Sequence, residues 1–254
     1  MNVGVTGATG RMGETVLEVL ADREESAAFA VSRSPGETAD GLTIHPAASF
    51  ADLLADRDPD VVVDFSAPES SVAYAEAAAA AGVPIVVGTT GFDDDQLAAL
   101  EAAGEETAVV LGANFARGVQ ALVAAVEEAV AALPEYDVEL TETHHNGKRD
   151  APSGTAGLVL DRIDDARGRA HDRVHGREGV APRSPDEIGV HARRAGDVTG
   201  EHEILLAGND ETLSLTHRAG SRRVFAAGAV DAAAWITDRQ TGFHRFADIA
   251  DDIA

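Results

Sequence analysis

The stretch HHNGKRDAPSGTA, His144 to Ala156, gathers groups able to move a proton and to hold an anion. Two adjacent histidines come first, and neutral imidazole titrates near neutrality, which suits proton transfer. Lys148 follows and is the single lysine of the chain; of 20 Lys plus Arg, the other nineteen are arginines. An ammonium differs from a guanidinium in that burial or a second cation can lower its pKa into a useful range. Pro152-Ser153-Gly154-Thr155 then reads as a helix start, whose open N–H groups and hydroxyls would hold a carboxylate. Together these residues describe a site for an anionic substrate undergoing protonation, against the plainer alternative of a decorated surface loop. His144 and His145 would end a strand, where successive side chains point to opposite faces, so they would play different roles.

A second group of residues lies at the N-terminus. In VGVTGATGRMGETV a strand runs into Gly7, Gly10 and Gly13 and then a helix. Glycine suits a tight turn that lets the backbone approach a pyrophosphate resting on the helix N-terminus. The spacing is G-x-x-G-x-x-G rather than G-x-G-x-x-G, and a turn built only for close helix–strand packing is the alternative. At the end of the second strand an Asp or Glu would point to NAD, whereas Ala30-Val31-Ser32-Arg33-Ser34 offers Arg33, which suits a 2′-phosphate and favours NADPH over NADH. GTTGF (Gly88–Phe92) and GANF (Gly112–Phe115) each follow a predicted strand and could line the same crevice. No metal site is expected: His171 and His175 stand at i, i+4 but lack an intervening Glu base and a third ligand.

These groups need elements to hold them. Strands are predicted at Val3–Thr6, Ala28–Ser32, Val61–Phe65, Pro84–Gly88 and Ala108–Gly112. Helices alternate with them at Met12–Ala21, Phe50–Ala55, Glu69–Ala81 and Asp94–Ala103. Apolar strands separated by helices mean a parallel sheet covered on both faces. After a long helix at Val119–Ala132 the rhythm changes. Tyr136–Thr143 alternates like a half-exposed strand, and Ile188–Arg193, Glu203–Leu206 and Thr212–Thr216 follow the loop-rich stretch Arg167–Asp186, a series that suggests a separate mixed or antiparallel sheet. Helices at Val224–Ile236 and Phe246–Ile253 close the chain.

Composition sets the outer bounds. With 254 residues, 44% hydrophobic, the chain can bury a full core. It has no cysteine, hence no disulfide and no thiol nucleophile. No apolar run approaches the ~20 residues of a membrane span, and Met1-Asn2 leads straight into a strand rather than a signal peptide, so a cytoplasmic protein is expected. The formal net charge is −24, which makes nucleic acid and anionic membranes poor partners. The acids are scattered over presumed helix faces, for example Glu14, Glu18 and Asp22. That scatter, with lysine almost absent, suggests adaptation to concentrated salt, where the Debye length falls to ~3 Å or below. A GC-rich genome would explain the missing lysines but not the acid excess.

The motifs GATGRMG, DFS (Asp64–Ser66), GTTGF, GANF, RAGDVTGEH (Arg194–His202), THRAGSR (Thr216–Arg222) and, above all, ETHHNGKRDAPSGTA resemble the dihydrodipicolinate reductase family along essentially the whole chain. The resemblance implies a Rossmann-like α/β nucleotide-binding domain with a parallel sheet, residues 1–115 and 223–254. It also implies an α+β mixed-sheet domain, residues 116–222, that binds a small anionic dicarboxylate and builds a homotetramer. The activity implied is NADPH- or NADH-dependent reduction of 4-hydroxy-tetrahydrodipicolinate to tetrahydrodipicolinate, on the way to diaminopimelate and lysine. By position, His144 matches the family's acid/base and Lys148 its proton donor, and His145, Gly154 and Thr155 match its substrate contacts. Gly7, Ala8, Thr9, Gly10, Arg11, Met12, Gly13, Gly88, Thr89, Thr90, Gly112, Ala113, Asn114 and Phe115 match its cofactor contacts. Many relatives carry an acid before the arginine where this chain has Ser32, which opens the choice between NADH and NADPH. A short-chain dehydrogenase shares the opening but needs Tyr-x-x-x-Lys, and Tyr74 and Tyr136 are followed four residues on by Ala78 and Leu140. A non-catalytic NADP-binding redox sensor would have no reason to keep His144, Lys148 and the Ser-Gly-Thr turn together.

Overall fold

In the computed structural model, residues 1–38 and 41–253 are described; Ala39, Asp40 and Ala254, which fall in the expected nucleotide-binding domain, lie outside them. The chain forms two compact units, Met1–Ala116 with Arg222–Ala254, and Arg117–Ser221. In chain order the first unit contains β1 (Asn2–Thr6), α1 (Arg11–Ala21), β2 (Ser26–Ser32), β3 (Gly36–Glu37), β4 (Thr43–Pro46), α2 (Phe50–Arg57), β5 (Val61–Asp64), α3 (Pro68–Ala81), β6 (Ile85–Val87), α4 (Asp94–Glu106) and β7 (Ala108–Leu111). The second holds α5 (Arg117–Ala132), β8 (Asp137–His144), α6 (Gly154–Arg167), β9 (Asp172–Val174), β10 (Glu187–Arg194), β11 (Gly200–Gly208) and β12 (Glu211–Ala219). The chain then returns to the first unit with α7 (Arg223–Ile236), β13 (Gly242–Arg245) and α8 (Phe246–Ile249).

The first sheet has the order β13-β7-β6-β5-β1-β2-β4-β3, parallel throughout except for the short β3–β4 pair. Its central strands are apolar on both sides because both faces are covered, and the two-residue period separates them cleanly. Val61, Val63, Val86 and Val110 enter one core with residues of α1 and α7, including Val16, Leu20, Val230 and Ile236. Val62, Ile85, Val87 and Val109 enter the opposite core with Leu53, Tyr74, Ala78 and Leu100 of α2, α3 and α4. Each such valine contributes on the order of 1.5–3 kcal/mol by leaving water. The helices start and stop where local chemistry says: Pro68 opens α3, Gly82 in the left-handed region closes it, and Asp93 with Gln96 forms a capping box on α4.

The second sheet has the order β12-β11-β8-β10-β9. β8 is central, antiparallel to β11 on one side and parallel to β10 on the other. The β11–β12 hairpin turns on Asn209 and Asp210, both at positive φ (48° and 60°), the backbone a tight two-residue hairpin needs.

The fold is the expected α/β class with a second, mixed sheet. Several elements differ from expectation. The predicted helix Phe246–Ile253 stops at Ile249: Asp251 and Asp252 would place negative charge at the negative end of the helix, and the chain turns there to bury Ile253. Ahead of it, Gly242–Arg245 pairs with β7 as the edge strand β13, too short to show a period. β3 and β4 are short strands where no element was expected, and β9 is one within the loop-rich stretch Arg167–Asp186. Strands β11 and β12 extend to nine residues each, beyond the predicted runs, because pairing rather than apolar pattern sets their ends.

Candidate active site

β8 carries Glu142 and His144 two residues apart, so both side chains fall on one face of the strand. Both are buried, and the Glu142 carboxylate has no exposed surface. His144 Nδ1 lies 2.6 Å from Glu142 Oε2. From β10, whose register sets Arg194 beside His144, the Arg194 guanidinium donates to both Glu142 oxygens at 2.7 and 2.8 Å. The Ser153 N–H donates to Glu142 Oε1 at 3.1 Å. From β11, whose register sets His202 beside Glu142, the His202 ring stands edge-on to His144 at 5.2 Å, and its Nε2 is 2.9 Å from Ser153 Oγ.

The turn after β8 places the rest. His145 is half-buried, and its carbonyl accepts from the Lys148 N–H at 3.1 Å, which folds the chain back. Lys148 Nζ pairs with Asp150 Oδ1 at 2.9 Å, and the Asp150 backbone carbonyl accepts from Arg194. Ser153 caps α6, its hydroxyl accepting from the Ala156 N–H at 3.2 Å. Gly154 at the first helical position is exposed and Thr155 half-buried. Ser153, expected among the substrate contacts, is thus buried with its N–H and hydroxyl turned inward, because a helix cap must face its own helix.

Electrostatics follow from this packing. Burial alone would raise the Glu142 carboxyl, but hydrogen bonds from Arg194 and His144 outweigh it and hold the group below its usual range. Burial pushes the His144 imidazole down; Glu142 opposes that, while Lys148 and Arg194 add to it. His202 is pushed down to about 4, first by burial and then by His144. It therefore stays neutral at physiological pH, and its Nδ1 is buried without a partner among the described residues. The Lys148 hydrogen bond lowers the Asp150 carboxyl.

In the first unit, β7, β6, β5, β1 and β2 are consecutive parallel strands. The loops at their carboxyl ends therefore share one edge of the sheet, where the strand order reverses about β1. They carry Gly112–Phe115, Gly88–Thr90, Phe65–Ser66, Gly7–Gly13 and Arg33. Gly7 has φ +67°, and a Cβ on it would strike the Phe65 carbonyl oxygen at 2.2 Å. A Cβ on Gly13 would meet the Gly7 carbonyl oxygen at 2.2 Å. The turn between them, with exposed Thr9, Gly10 and Arg11, leads into α1, whose N-cap Gly10 supplies no capping side chain. That open, glycine-lined helix start fits a pyrophosphate. Ala8 is pinned by its N–H to the Val31 carbonyl at 3.1 Å, and Thr9 Oγ1 lies 2.5 Å from Ser32 Oγ. Arg33, Thr90 and Ala113 are exposed. Phe115 is in the core, against Phe246, and its loop is braced by Asn114 Oδ1 accepting from the Ala116 N–H at 2.9 Å. Beneath these loops the buried Asp64 carboxylate accepts from the hydroxyls of Thr6, Ser71 (2.5 Å) and Thr89 (2.9 Å).

The residues predicted in the 144–156 stretch thus come together in the second unit, and those of the glycine turn and strand ends in the first. His171 bonds Asp164 at 2.7 Å, and β9 separates it from exposed His175. Sequence reasoning missed Glu142, Arg194 and His202. The two-residue spacing to His144 could have found Glu142; Arg194 and His202, at the two ends of RAGDVTGEH, lie 50 and 58 residues beyond His144, and only the sheet register shows that they meet this cluster.

Two family models match the chain: the one described as dihydrodipicolinate reductase, N-terminus, over residues 1–115, and its C-terminal counterpart over residues 118–250. The chain is 59% identical over 248 residues to the 4-hydroxy-tetrahydrodipicolinate reductase of Natronomonas pharaonis, covering 98% of this chain and 99% of that one. It is 53% identical over 249 residues to that of Haloarcula marismortui, covering 98% of each. Among solved structures, the dipicolinate-bound dihydrodipicolinate reductase from Paenisporosarcina sp. TG-14 has a similar fold, with a TM-score of 0.79, 24% identity and coverage of 98% and 99% of the two chains.

Proposed function

The chain belongs to the dihydrodipicolinate reductase family, and we propose residue roles for the reaction of that family. It is an oxidoreductase that reduces 4-hydroxy-tetrahydrodipicolinate to tetrahydrodipicolinate at the expense of a nicotinamide cofactor, within diaminopimelate and lysine biosynthesis. The net change is loss of the ring hydroxyl as water and gain of one hydride and one proton. The observation that carries the assignment of roles is the strand-end cluster: buried His144 on Glu142, followed within one turn by Lys148 and the start of α6.

The nicotinamide, when bound, supplies the hydride. Gly7 to Gly13 would hold its pyrophosphate, with Gly88–Thr90 and Gly112–Phe115 lining the same sheet edge, which makes the first unit the dinucleotide-binding domain. Arg33, exposed just past β2, would hold a 2′-phosphate and favour NADPH. In the second unit Gly154 and Thr155 at the open start of α6, with His145, would bind the substrate's carboxylates. Lys148 would neutralise charge as hydride addition pushes electrons through the ring, and would deliver the proton to the enamine carbon with His144 as its acid/base partner. Ser153 shapes the loop rather than touching substrate. We extend the proposal to a cytoplasmic homotetramer working in concentrated salt. A net charge of −24 supports the salt requirement, and β12, a largely exposed edge strand, supports assembly through the second unit.

Lys148→Arg separates two roles of the lysine. If Lys148 donates a proton, kcat falls about a hundredfold or more, because a guanidinium does not release one. His144→Gln does similar damage, and the double variant is little worse than either. A near-normal kcat for Lys148→Arg in steady-state assays would remove lysine from proton transfer. For the cofactor, Arg33→Ala raises KM for NADPH about tenfold and leaves KM for NADH nearly unchanged; equal effects would make Arg33 a solvated loop residue. Sedimentation and activity measured at ~0.1 M and ~2 M salt should show the active tetramer only at the higher value, where the repulsion is screened. Full activity with an unchanged melting temperature at low salt would contradict the salt adaptation.

A further inference from the structure

We propose that Glu142 is a positioning residue of this reaction: held by Arg194, its carboxylate fixes the His144 imidazole with a proton on Nδ1 and leaves Nε2 for its acid/base role as the partner of Lys148. The proposal deepens the assignment of His144 as acid/base and rests on it. An ionised carboxylate can only accept hydrogen bonds, so the 2.6 Å contact obliges His144 Nδ1 to donate. The opposite neutral tautomer would set a ring lone pair against the carboxylate. Glu142 is held in the ionised form by the two-pronged Arg194 contact and the Ser153 N–H, which fill its remaining acceptor sites.

The other nitrogen is kept clear. A Cβ on Gly200, at the start of β11, would press on His144 Nε2 at 3.1 Å, a close contact that the glycine avoids. The charged and titratable groups facing His144 are Glu142 on its own strand, Lys148 in the following turn, Arg194 on β10 and His202 on β11. Of these only Glu142 favours the imidazolium. Lys148 and Arg194 oppose it, and His202 stays neutral. Glu142 therefore sets the tautomer of His144 and, against burial and the two cations, holds up the pH at which the ring loses its proton.

The test is Glu142→Gln in the full-length enzyme. With Arg194 still donating to the amide oxygen, the amide NH2 faces His144 and reverses the preferred tautomer, as happens when an amide replaces the aspartate of a serine-protease triad. The imidazolium also loses its counter-charge. Expected are a fall in kcat of about a hundredfold with a smaller change in KM, and a shift to lower pH of the limb where activity is lost as pH rises. The His144 Cε1–H resonance, assigned by difference with His144→Gln, should titrate at lower pH in the folded variant. Adding His144→Gln to Glu142→Gln should cost little beyond His144→Gln alone. If Glu142→Gln does not fold, Glu142→Asp, which keeps the charge at a shorter reach, should show the same shifts to a smaller degree. An unmoved His144 titration in a folded variant, or losses that multiply in the double variant, would reduce Glu142 to a structural ion and overturn the proposal. Near-normal turnover by His144→Gln would instead overturn the acid/base role of His144 on which it rests, whatever the titration shows.

Discussion

A carboxylate with no exposed surface organises the second unit. Removing a charge from water costs several kcal/mol even after the protein relaxes, so Glu142 is tolerated only because its partners are complete. Those partners come from three segments: His144 on its own strand, Arg194 on β10 and the backbone N–H of Ser153 ahead of α6. Each contact restrains a different part of the machinery. The strand end orients the imidazole, the neighbouring strand brings a permanent cation, and the turn into the helix is drawn down onto the sheet. Ser153 then caps α6 and meets His202, so the open helix start and the histidine pair are set by the same buried ion.

The first unit uses a related device with different chemistry. Asp64 ends β5 beneath the loops at the carboxyl ends of the strands and is also fully buried, but its side-chain donors are neutral hydroxyls from Thr6, Ser71 and Thr89. Through them it ties together the carboxyl ends of β1, β5 and β6 and the first turn of α3. Thr89 in turn accepts from the Ser66 N–H at 2.9 Å. Charged partners suit a site where a proton must move, because they bias the imidazole electrostatically. Hydroxyl partners suit loops that must present backbone to a ligand, because they fix position without adding charge.

How much of this could be read in the sequence depends on the distance along the chain over which each interaction acts. The 144–156 stretch was legible because histidine, lysine and helix cap are neighbours in sequence. The parallel sheet was legible because valine-rich strands buried on both faces leave no alternation to misread. Glu142 stands two residues before His144 on the same strand face, within reach of a period-two argument. Arg194 and His202 were not, since they reach Glu142 only through the register of β10 and β11. The strands β3, β4, β9 and β13 have two to four residues, too few for periodicity, and are defined by the partners they pair with. A cap and an anion site use the same residue types, so the sequence around Ser153 suits both; the inward direction of its hydroxyl, onto the Ala156 N–H and His202, is a matter of three dimensions.

The account turns on which nitrogen of His144 carries the proton. A long-range proton–nitrogen correlation spectrum of the unmodified, full-length protein, recorded above the pH at which His144 titrates, reads this directly. The predicted result is a protonated Nδ1 and a lone-pair-bearing Nε2. A spectrum with the proton on Nε2, or with both nitrogens averaged by fast exchange, would mean that the Glu142 carboxylate does not hold the ring, and would contradict the account.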